Sequence, residues 1–371
     1  FMLIGSDRRT TSYSTDALIL LSVRPQERLV TLISIPRDLF VYIPGWTMQR
    51  INTAYQHGEL TGYPGGGPGL LKDTVRYNLG VRIDHMALVE FEGFQKIIDT
   101  LDGIDMPLSC PYTDWHIKNP KRSMDDPENW KLLTIGPGLV HIDGELALWY
   151  ARSRLRSSDF DRGRRQQEVL RAIFARGLRL DVIPRLPQLY AQLREAVETD
   201  ISLDDVLELA LLASAVGSAR VRSYYINRET VTSWRTPQNA AVLLPRQEEL
   251  RALIQEAMSP PDESQPQASD DVVEIWNGTS HADWDALAAE RLHYAGFPTQ
   301  IGVPDGQDHV QTSLYDFRVA QDPERSTHLL SSLGLPETHL VASPDLTSPV
   351  PYRLVLGEDY QPCFDPAGLN Q

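Results

Sequence analysis

The sequence predicts an α/β protein with two domains, on three observations. Segments with the alternation or β-branched content of strands are followed by segments with helical spacing along most of the chain. Residues 28–36, RLVTLISIP, are almost continuously apolar and β-branched, as in a strand inside a sheet. Residues 259–270 are rich in proline, serine and acidic side chains, as linkers are. We therefore expect a first domain over 1–258 and a smaller α/β domain over 271–362.

The composition is that of an ordinary globular protein with an acidic balance. The chain has 371 residues, of which 42% are hydrophobic and 23% are charged, so two separate cores are possible. The formal net charge is −15 and the sequence pI is about 5.0. Nucleic acid is therefore not expected as a partner, because binding to a phosphate backbone needs a broad basic surface.

Charged side chains accompany the first predicted strands. An apolar strand at 1–5 is joined to the strand ALILLSV by the polar loop SDRRTTSYSTD, and the strand at 28–36 is followed by an Arg-Asp pair. Because open α/β sheets commonly bind ligands beyond the carboxyl ends of their strands, we expect these charged groups to converge at one edge of the sheet. They are Asp7, Arg8, Asp16, Arg37 and Asp38.

The next segments predict further elements without a catalytic motif. The loop YPGGGPG is interpreted as a connector into the helix LLKDTVRYNLG, since no GK[ST] follows it as a P-loop requires. His85, near the start of the strand DHMALVEF, is interpreted as structural because no serine or cysteine motif accompanies it. Residues 111–135 are polar and predict a long surface excursion.

The strongest functional signal lies in residues 150–167, YARSRLRSSDFDRGRRQQ, where arginines surround two aspartates. Against the acidic background this favours a site for a phosphate or pyrophosphate, since the guanidinium fork suits paired phosphate oxygens. A solvated helix face with salt bridges is the alternative. The charged residues are Arg152, Arg154, Arg156, Asp159, Asp161, Arg162, Arg164 and Arg165.

The spacing within this cluster favours the anion site. The first arginines alternate in sequence, as in an extended segment or a loop. Arg162, Arg165 and Gln166 share one face if a helix begins near Asp161. Asp159 is then expected to cap that helix, so that its N-terminal amides could join the arginines in holding the anion.

Apolar residues at helical spacing follow in QQEVLRAIFARGLRL, PQLYAQLREAV and LDDVLELALLASAV. The broad apolar face of the last segment is typical of a core helix, and a cleft that holds lipid is the alternative. The second domain is predicted to begin with a β-α-β unit, formed by the segments VVEIWNGTS, ADWDALAAERLHYAG and FPTQIGVP that follow the linker. Catalytic groups do not cluster in this domain.

The cysteines and the hydropathy leave the compartment undetermined. Cys110 and Cys363 lie far apart without metal-ligand spacing, so two free thiols are the simplest interpretation and a long-range disulfide stays open. The longest apolar run, Ala17 to Val23, is far shorter than the roughly 20 residues of a spanning helix. Because the opening FMLIGSD has the character of a strand entered part-way, we expect a segment upstream of it.

Six motifs that occur in a fixed order resemble the LytR-CpsA-Psr (LCP) family over roughly residues 1–258. They are GSDRR, STDALILLSV, SIPRDLFVYIPG, RINTAY, RIDHMALVEFEGF and YARSRLRSSDFDRGRRQQ. The later VVEIWNGTS and VLGEDY are similar to the LytR C-terminal domain. The resemblance implies a three-layer α/β/α domain with a central mixed sheet, followed by a second, smaller α/β domain.

The resemblance also implies a function. Members of the family are bacterial phosphotransferases that move a glycopolymer from a polyprenyl-diphosphate carrier onto peptidoglycan, typically with Mg²⁺ (or Mn²⁺). They act on the extracytoplasmic face of the cell membrane, which implies a membrane helix just upstream of Phe1. Without that helix the chain itself is expected to be soluble.

Roles are carried over motif by motif. Asp7 and Asp16 match the acidic residues associated with the divalent ion, a pairing that suits Mg²⁺. Asp159, in the D-x-x-R motif, is the first candidate to orient or deprotonate the attacking hydroxyl; Asp38 is the second, and Arg154 is expected to assist catalysis. These aspartates could instead fix arginine rotamers. The pyrophosphate-binding positions are Arg8, Arg37, Arg152, Arg154, Arg162, Arg165 and Gln166.

Three other functions stay open. Water could attack the lipid diphosphate at the same site, which would make the protein a pyrophosphatase. The protein could bind lipid or cell wall without turnover and regulate envelope assembly. A DNA-binding regulator is disfavoured by the acidic balance and by the lack of a helix-turn-helix signal.

Overall fold

The computed structural model describes most of the chain. The described residues are 1–9, 12–119, 121–123, 125–153, 158–179, 184, 186–194, 196–216, 220–260, 271–304, 306, 308–320 and 322–363. Side chains at 8, 9, 12–14, 159, 179, 192, 193, 214 and 215 lie outside this description.

The strands, in chain order, are β1 (Met2–Arg9), β2 (Ser12–Arg24), β3 (Leu29–Ile35), β4 (Phe40–Tyr42), β5 (Met48–Arg50), β6 (Met86–Glu90), β7 (Ile104–Leu108), β8 (Tyr112–Ile117), β9 (Trp130–Ile135), β10 (Gly138–Ile142), β11 (Val197–Thr199), β12 (Val221–Tyr225), β13 (Val231–Arg235), β14 (Ala241–Pro245), β15 (Val273–Asn277), β16 (Thr299–Ile301), β17 (Ser313–Asp316), β18 (Leu340–Ala342) and β19 (Tyr352–Leu356). The helices are α1 (Thr53–Thr61), α2 (Gly66–Leu79), α3 (Phe91–Thr100), α4 (Gly144–Arg152), α5 (Asp159–Arg179), α6 (Leu186–Leu193), α7 (Leu203–Val216), α8 (Gln247–Met258), α9 (Trp284–Tyr294) and α10 (Pro323–Ser332).

The described residues form two compact units. The first unit comprises 1–104, 142–215 and 223–260. The second unit comprises 105–141, 216–222 and the described residues after 260.

A mixed six-stranded sheet, in the order β11-β6-β1-β2-β3-β12, is the centre of the first unit. β1 runs parallel to β6 and antiparallel to β2, and β2 runs antiparallel to β3. β3 is buried along nearly its whole length, as its β-branched sequence predicts. The predicted mixed central sheet is therefore confirmed.

Helices cover both faces of this sheet. On one face Met2, Ile4 and Ile33 pack into a core with residues of α1, α2 and α8, such as Leu71 and Ile254. The side chains between them point to the opposite face, because direction alternates along a strand. Contacts of β1, β3 and β6 with α3 and α5 cover that second face. The three-layer α/β/α arrangement predicted for the first domain is present.

The second unit is also α/β, as predicted. Its five-stranded sheet has the order β16-β15-β19-β17-β18 and contains parallel and antiparallel pairs. Val273, Ile275 and Leu354 on one face of the sheet share a core with Leu292 of α9 and Leu329 of α10.

Residues 105–141 contain more regular structure than the predicted surface excursion. β8 and β9 form an antiparallel hairpin in register from Tyr112–Ile135 to Ile117–Trp130. One residue of each strand is buried, Asp114 in β8 and Ile135 in β9, although the segment is polar overall. A disulfide joins Cys110 to Cys363 within the second unit, with Cα atoms 4.6 Å apart, so the interpretation of the two cysteines as free thiols is wrong.

The predicted linker at 259–270 lies, apart from its first two residues, outside the described residues. The division into domains at 1–258 and 271–362 therefore stays a prediction. None of the helices in the described ranges is long and apolar enough to cross a membrane.

Candidate active site

A β-bulge in β2 places the first site residue. Gly5 pairs with Ala17 and Ser6 pairs with Thr15, so Asp16 is the extra residue between two strand pairs. A bulge turns its extra side chain away from the regular alternation. The Asp16 carboxylate is turned toward the guanidinium of Arg37, with Oδ1 2.5 Å from Nη1.

Arg37 and Asp38 follow the carboxyl end of β3. Arg37 Nε lies 3.5 Å from Asp38 Oδ2, and Arg50 Nη1 lies 3.2 Å from Asp38 Oδ1. Asp38 is thus held between two guanidinium groups, while Arg37 is held between two carboxylates, those of Asp16 and Asp38. The predicted convergence of Asp16, Arg37 and Asp38 at this edge is observed.

The start of α5 is fixed by Ser158. Its backbone N–H and hydroxyl donate to Asp161 Oδ2 at 2.8 and 2.6 Å, and the Asp161 N–H donates to Ser158 Oγ at 3.2 Å. These reciprocal bonds are a capping box. The helix begins at Asp159, so the prediction that Asp159 caps it is wrong: Ser158 is the cap. The S-x-x-D spacing was visible in the sequence.

Small and polar residues bring α5 close to β3. Ser34 Oγ donates to the backbone carbonyl of Gly163 at 3.3 Å, and a Cβ on Gly163 would lie 3.4 Å from the Ser34 Cβ. Gln167, fully buried, donates to Ser34 Oγ and to the Tyr224 carbonyl. This close approach puts Arg162 and Gln166, one helical turn apart, beside the end of β3.

These residues line a cavity with about 340 Å³ of empty volume, part of it open to solvent. The lining contains four predicted site residues, namely Asp16, Arg37, Arg162 and Gln166. The other lining residues are Ser34, Ile35, Pro36, Phe160, Gly163, Tyr225 and Ile226. Two guanidinium groups against one carboxylate give the cavity a positive balance, which suits an anion.

Asp7 and Arg152 lie near each other at the end of β1. Asp7 follows the bulge on β1, and its Oδ2 is 3.9 Å from Arg152 Nη2. The Arg152 guanidinium also lies over the Phe91 ring, 3.7 Å from the centroid. Arg152, in the last turn of α4, thus contacts both Asp7 of β1 and Phe91, the first residue of α3.

Arg165 has a different environment from the other predicted arginines. It is 1% exposed, and its Nε donates to the Tyr150 carbonyl at 2.9 Å. Its Nη2 donates to the carbonyl of Ser153. These carbonyls belong to the C-terminal end of α4, where helix carbonyls lack intrahelical partners. In this structure Arg165 fixes the segment that leads into residues 154–157.

A network beside the cavity includes residues that the sequence did not single out. Glu168 accepts hydrogen bonds from Tyr150 Oη at 2.6 Å and from Arg164 Nη1 at 3.1 Å. Glu168 raises the pKa of Arg164. The pKa of Tyr150 is raised mainly by its burial and, to a smaller extent, by the nearby Glu168 carboxylate. Burial, and secondly Glu168, raise the pKa of Tyr225 to about 12. No sequence motif marks Tyr225 or Glu168.

The side chains of Arg8 and Asp159 and the whole of Arg154 lie outside the described residues. Their predicted roles stay predictions. The structure gives the positions of the other predicted site residues, but their functional roles also stay predictions. These residues are Asp7, Asp16, Asp38, Arg37, Arg152, Arg162, Arg165 and Gln166.

The predicted metal ligands have a suitable donor chemistry. The described residues contain no group of three or more His, Cys, Asp or Glu side chains able to hold a metal ion. Mg²⁺, however, is commonly bound by one or two carboxylates together with substrate phosphates. Asp7 and Asp16, hard oxygen donors on adjacent strands β1 and β2, fit such a site.

The LytR_cpsA_psr family model matches residues 1–258, well over half of the chain. The chain belongs to the LytR_cpsA_psr family. It is 29% identical over 220 residues to the polyisoprenyl-teichoic acid–peptidoglycan teichoic acid transferase TagU of Enterococcus faecalis, covering 58% of this chain and 65% of that one. It is 31% identical over 211 residues to the TagU of Oceanobacillus iheyensis, with coverages of 56% and 60%.

The chain thus spans less than two thirds of the length of these two LytR_cpsA_psr relatives. Among solved structures, it is similar to the crystal structure of Bacillus subtilis TagV, with 25% identity and a TM-score of 0.55. That similarity covers 70% of this chain and 98% of TagV. The family resemblance and the fold class predicted from the sequence are confirmed.

Proposed function

We propose that this LytR_cpsA_psr protein is a phosphotransferase that moves a glycopolymer from a polyprenyl-diphosphate carrier onto peptidoglycan. The observation that carries the proposal is the cavity between the end of β3 and the start of α5, where Arg37, Arg162 and Gln166 meet. Relatives named teichoic acid transferases support the same class of donor and acceptor.

The cavity supplies charge neutralisation and positioning. In the transfer, a sugar hydroxyl of peptidoglycan attacks the phosphorus next to the glycopolymer, the bridging P–O bond breaks, and polyprenyl phosphate leaves. Arg37 and Arg162, which line the cavity, would bind the diphosphate oxygens. Arg8, Arg152 and Arg154 are the further candidates. Gln166 adds an amide donor, and preorganised donors of this kind are typically the largest contribution to such catalysis.

Arg37 is preorganised by its two carboxylate partners. Asp16 and Asp38 hold its guanidinium in place before a substrate arrives, which limits the reorganisation needed at the moment of reaction. Arg165, buried against the carbonyls of α4, acts on the site by fixing the chain that leads to Arg154.

The attacking hydroxyl must lose its proton to a base. Asp159, at the first residue of α5, is our first candidate, and Asp38 is the second. Asp38 lies between Arg37 and Arg50, whose guanidinium groups hold its carboxylate in a fixed position from which it could orient a hydroxyl.

Asp7 and Asp16 are the residues that would hold Mg²⁺ (or Mn²⁺). The bound ion would neutralise charge on the diphosphate and polarise its oxygens. Arg152 and Arg37 are the ion-pair partners of these two carboxylates in this structure.

The polyprenyl tail needs an apolar groove, and the second face of the central sheet offers apolar surface for it. Leu3 and Leu21, which point to that face, are half-buried rather than fully packed. Leu178 of α5 and Leu211 of α7 are exposed by 39% and 62%. Apolar side chains that are left partly open to solvent suit a lipid carrier.

We further propose that the native protein works on the extracytoplasmic face of the bacterial cell membrane. The disulfide between Cys110 and Cys363 supports this location, because disulfides persist mainly in oxidising compartments.

The test uses a polyprenyl-diphosphate-linked sugar, Mg²⁺ and a peptidoglycan oligomer, and follows the release of polyprenyl phosphate. We expect release only with acceptor present, and a loss on the order of a hundredfold in Arg37→Ala or Arg162→Ala. Arg251→Ala, on the exposed side of α8, is the matched control and should keep wild-type rates.

The outcomes separate the rival functions. Release of polyprenyl phosphate without acceptor would make the protein a pyrophosphatase. Tight binding of the lipid diphosphate without any release would overturn the enzymatic proposal in favour of a binding protein.

A further inference from the structure

We infer that an exposed aromatic surface next to the candidate active site binds the sugar chain of peptidoglycan. The aromatic surface consists of Phe40, Tyr42, Trp46, Tyr77 and Trp234, all in the first unit. The inference rests on the proposed function for the identity of the glycan, and its test is independent of transfer.

The hairpin of β4 and β5 presents one side of itself outward. Val41 and Ile43 are buried in the core at 2% and 0% exposure. Phe40 and Tyr42 alternate with them and therefore point to the other side of the strand. In the antiparallel register Phe40 stands opposite Arg50, and Tyr42 stands opposite Met48.

Each exposed ring of the aromatic surface is held by a second ring. Trp46 stacks on His57 with centroids 3.8 Å apart and planes inclined by 10°. Tyr77 packs against Tyr42 at 5.2 Å, and Trp234 packs against Phe40 at 6.0 Å.

The supported rings remain open to solvent. Trp46 and Trp234 are 41% exposed and Tyr77 is 68% exposed. Large aromatic groups that are ordered and yet exposed mark binding surfaces more often than singly scattered apolar residues do. Because the rings are already held, a ligand that covers them gains contact area with little loss of side-chain freedom.

A glycan fits this surface better than a lipid bilayer does. The negative face of an aromatic ring attracts the polarised C–H groups on the flat side of a pyranose, while sugar hydroxyls bond to nearby polar groups such as Arg50. Adsorption to an anionic membrane requires a cluster of basic groups. The β4–β5 hairpin carries one arginine, Arg50, which is paired with Asp38, and the other exposed arginines next to the rings, Arg76 and Arg235, lie on two separate elements, α2 and β13.

The aromatic surface is continuous with the candidate active site. Arg50 pairs with Asp38, which pairs with Arg37 in the cavity wall. The Leu243 N–H, from the hairpin that carries Trp234, donates to the Asp38 carbonyl at 3.0 Å. A sugar chain lying on these rings therefore passes beside the anion cavity, where the acceptor hydroxyl is needed.

The experiment measures the binding of an uncross-linked peptidoglycan tetrasaccharide by isothermal titration, without donor lipid and without metal. Trp46→Ala and Trp234→Ala are each expected to weaken binding several-fold, and the double variant on the order of tenfold or more. Trp115→Ala, which removes an equally exposed tryptophan (41%) from β8 in the second unit, is the matched control and should bind as wild type. Thermal unfolding of every variant checks that the fold is intact.

The outcomes are distinct from those of the transfer assay. Absence of tetrasaccharide binding by the wild type, or equal binding by the double variant, would overturn the inference while leaving transfer open. Binding that depends on the rings in a protein without transfer activity would support the inference and contradict the proposed function. Sedimentation with phosphatidylglycerol vesicles that depends on the rings, without tetrasaccharide binding, would assign the surface to the membrane instead.

Discussion

The side-chain amide of Gln167 on α5 donates a hydrogen bond to the hydroxyl of Ser34 on β3 at 2.8 Å. The same nitrogen lies 3.0 Å from the carbonyl oxygen of Tyr224. These two bonds fix the rotation of α5 about its own axis. The neighbouring Gln166 is thereby turned into the wall of the anion cavity.

Gln167→Leu is expected to lower the free energy of unfolding by about 1–3 kcal/mol, because it leaves the part-buried Tyr224 carbonyl and the buried Ser34 hydroxyl without the donor that Gln167 supplies. Urea denaturation of the purified protein measures this change. Gln166→Leu is the matched control, since within the described part of the chain its amide makes one long bond, of 3.4 Å, to the Ala151 carbonyl. It should lower stability less and weaken the binding of inorganic pyrophosphate more. Equal stability losses in the two variants would contradict this assignment.

Arg165→Lys is expected to loosen the C-terminal end of α4. A lysine ammonium cannot reproduce the planar fork that reaches the carbonyls of Tyr150 and Ser153. We expect a stability loss of about 1–3 kcal/mol and faster amide hydrogen exchange over residues 150–153. Arg164→Lys, on the exposed side of the same helix, should leave exchange there unchanged. Unchanged exchange in Arg165→Lys would contradict a fixing role for Arg165.

The paired double variant Cys110→Ser with Cys363→Ser is expected to be less stable than the oxidised wild type by about 2–5 kcal/mol, because the unfolded chain regains the freedom that the disulfide removes. Thermal unfolding with and without a reducing agent measures the effect. The reducing agent should lower the melting temperature of the wild type and leave that of the double variant unchanged. A wild type insensitive to reduction would show that the pair contributes nothing to stability.

Asp200 is expected to make the first unit less stable as the pH falls into the acid range. Partial burial acts to raise the pKa of its carboxyl, but hydrogen bonds from the Met86 N–H and Lys72 outweigh this and hold the pKa below its ordinary value. A group whose pKa is lowered on folding stabilises the fold at pH above its ordinary value, and that contribution is lost as pH falls through the folded value.

Asp200→Asn should therefore destabilise the protein at pH 7, and the difference from wild type should shrink as the pH falls below the ordinary pKa of an aspartate and vanish once the folded protein is protonated at Asp200. Unfolding curves from pH 7 down to acid measure the difference. Asp84→Asn, which removes an exposed partner of Arg82, is the control and should have little effect at either pH. A difference that persists unchanged in acid would show that the effect is not ionic.

The sequence was sufficient for most of the elements, although the loop predicted between the first two strands lies largely within β1 and β2. The apolar β-branched run that became β3 was enough to place Arg37 at the edge of the sheet, whereas the grouping of Arg162 with Arg37 came from the family resemblance. Side-chain direction could not be predicted to the same degree. Gln166 and Gln167 are chemically identical neighbours, and only the contact between α5 and β3 decides which one is buried.

Other features depend on contacts between residues far apart in sequence, which the sequence alone does not reveal. The bulge at Asp16 arises from the register of β1 against β2, so it could not be predicted from the alternation of either strand. The pairing of Cys110 with Cys363 requires that residues 105–141 fold into the same unit as the end of the described chain. Arg165 differs from its neighbours through the carbonyls of α4, which a count of arginines does not reveal.

The disulfide between Cys110 and Cys363 also closes a covalent ring across a separation of 253 positions. The ring includes the whole of α5 with Arg162 and Gln166. A protease that cuts one peptide bond inside the ring opens it without releasing a fragment, so the two pieces stay joined until the disulfide is reduced. A molecule nicked once in a loop between Cys110 and Cys363 therefore keeps its arginine-bearing helix covalently connected to β1, β2 and β3, and the two pieces become separate chains only after reduction.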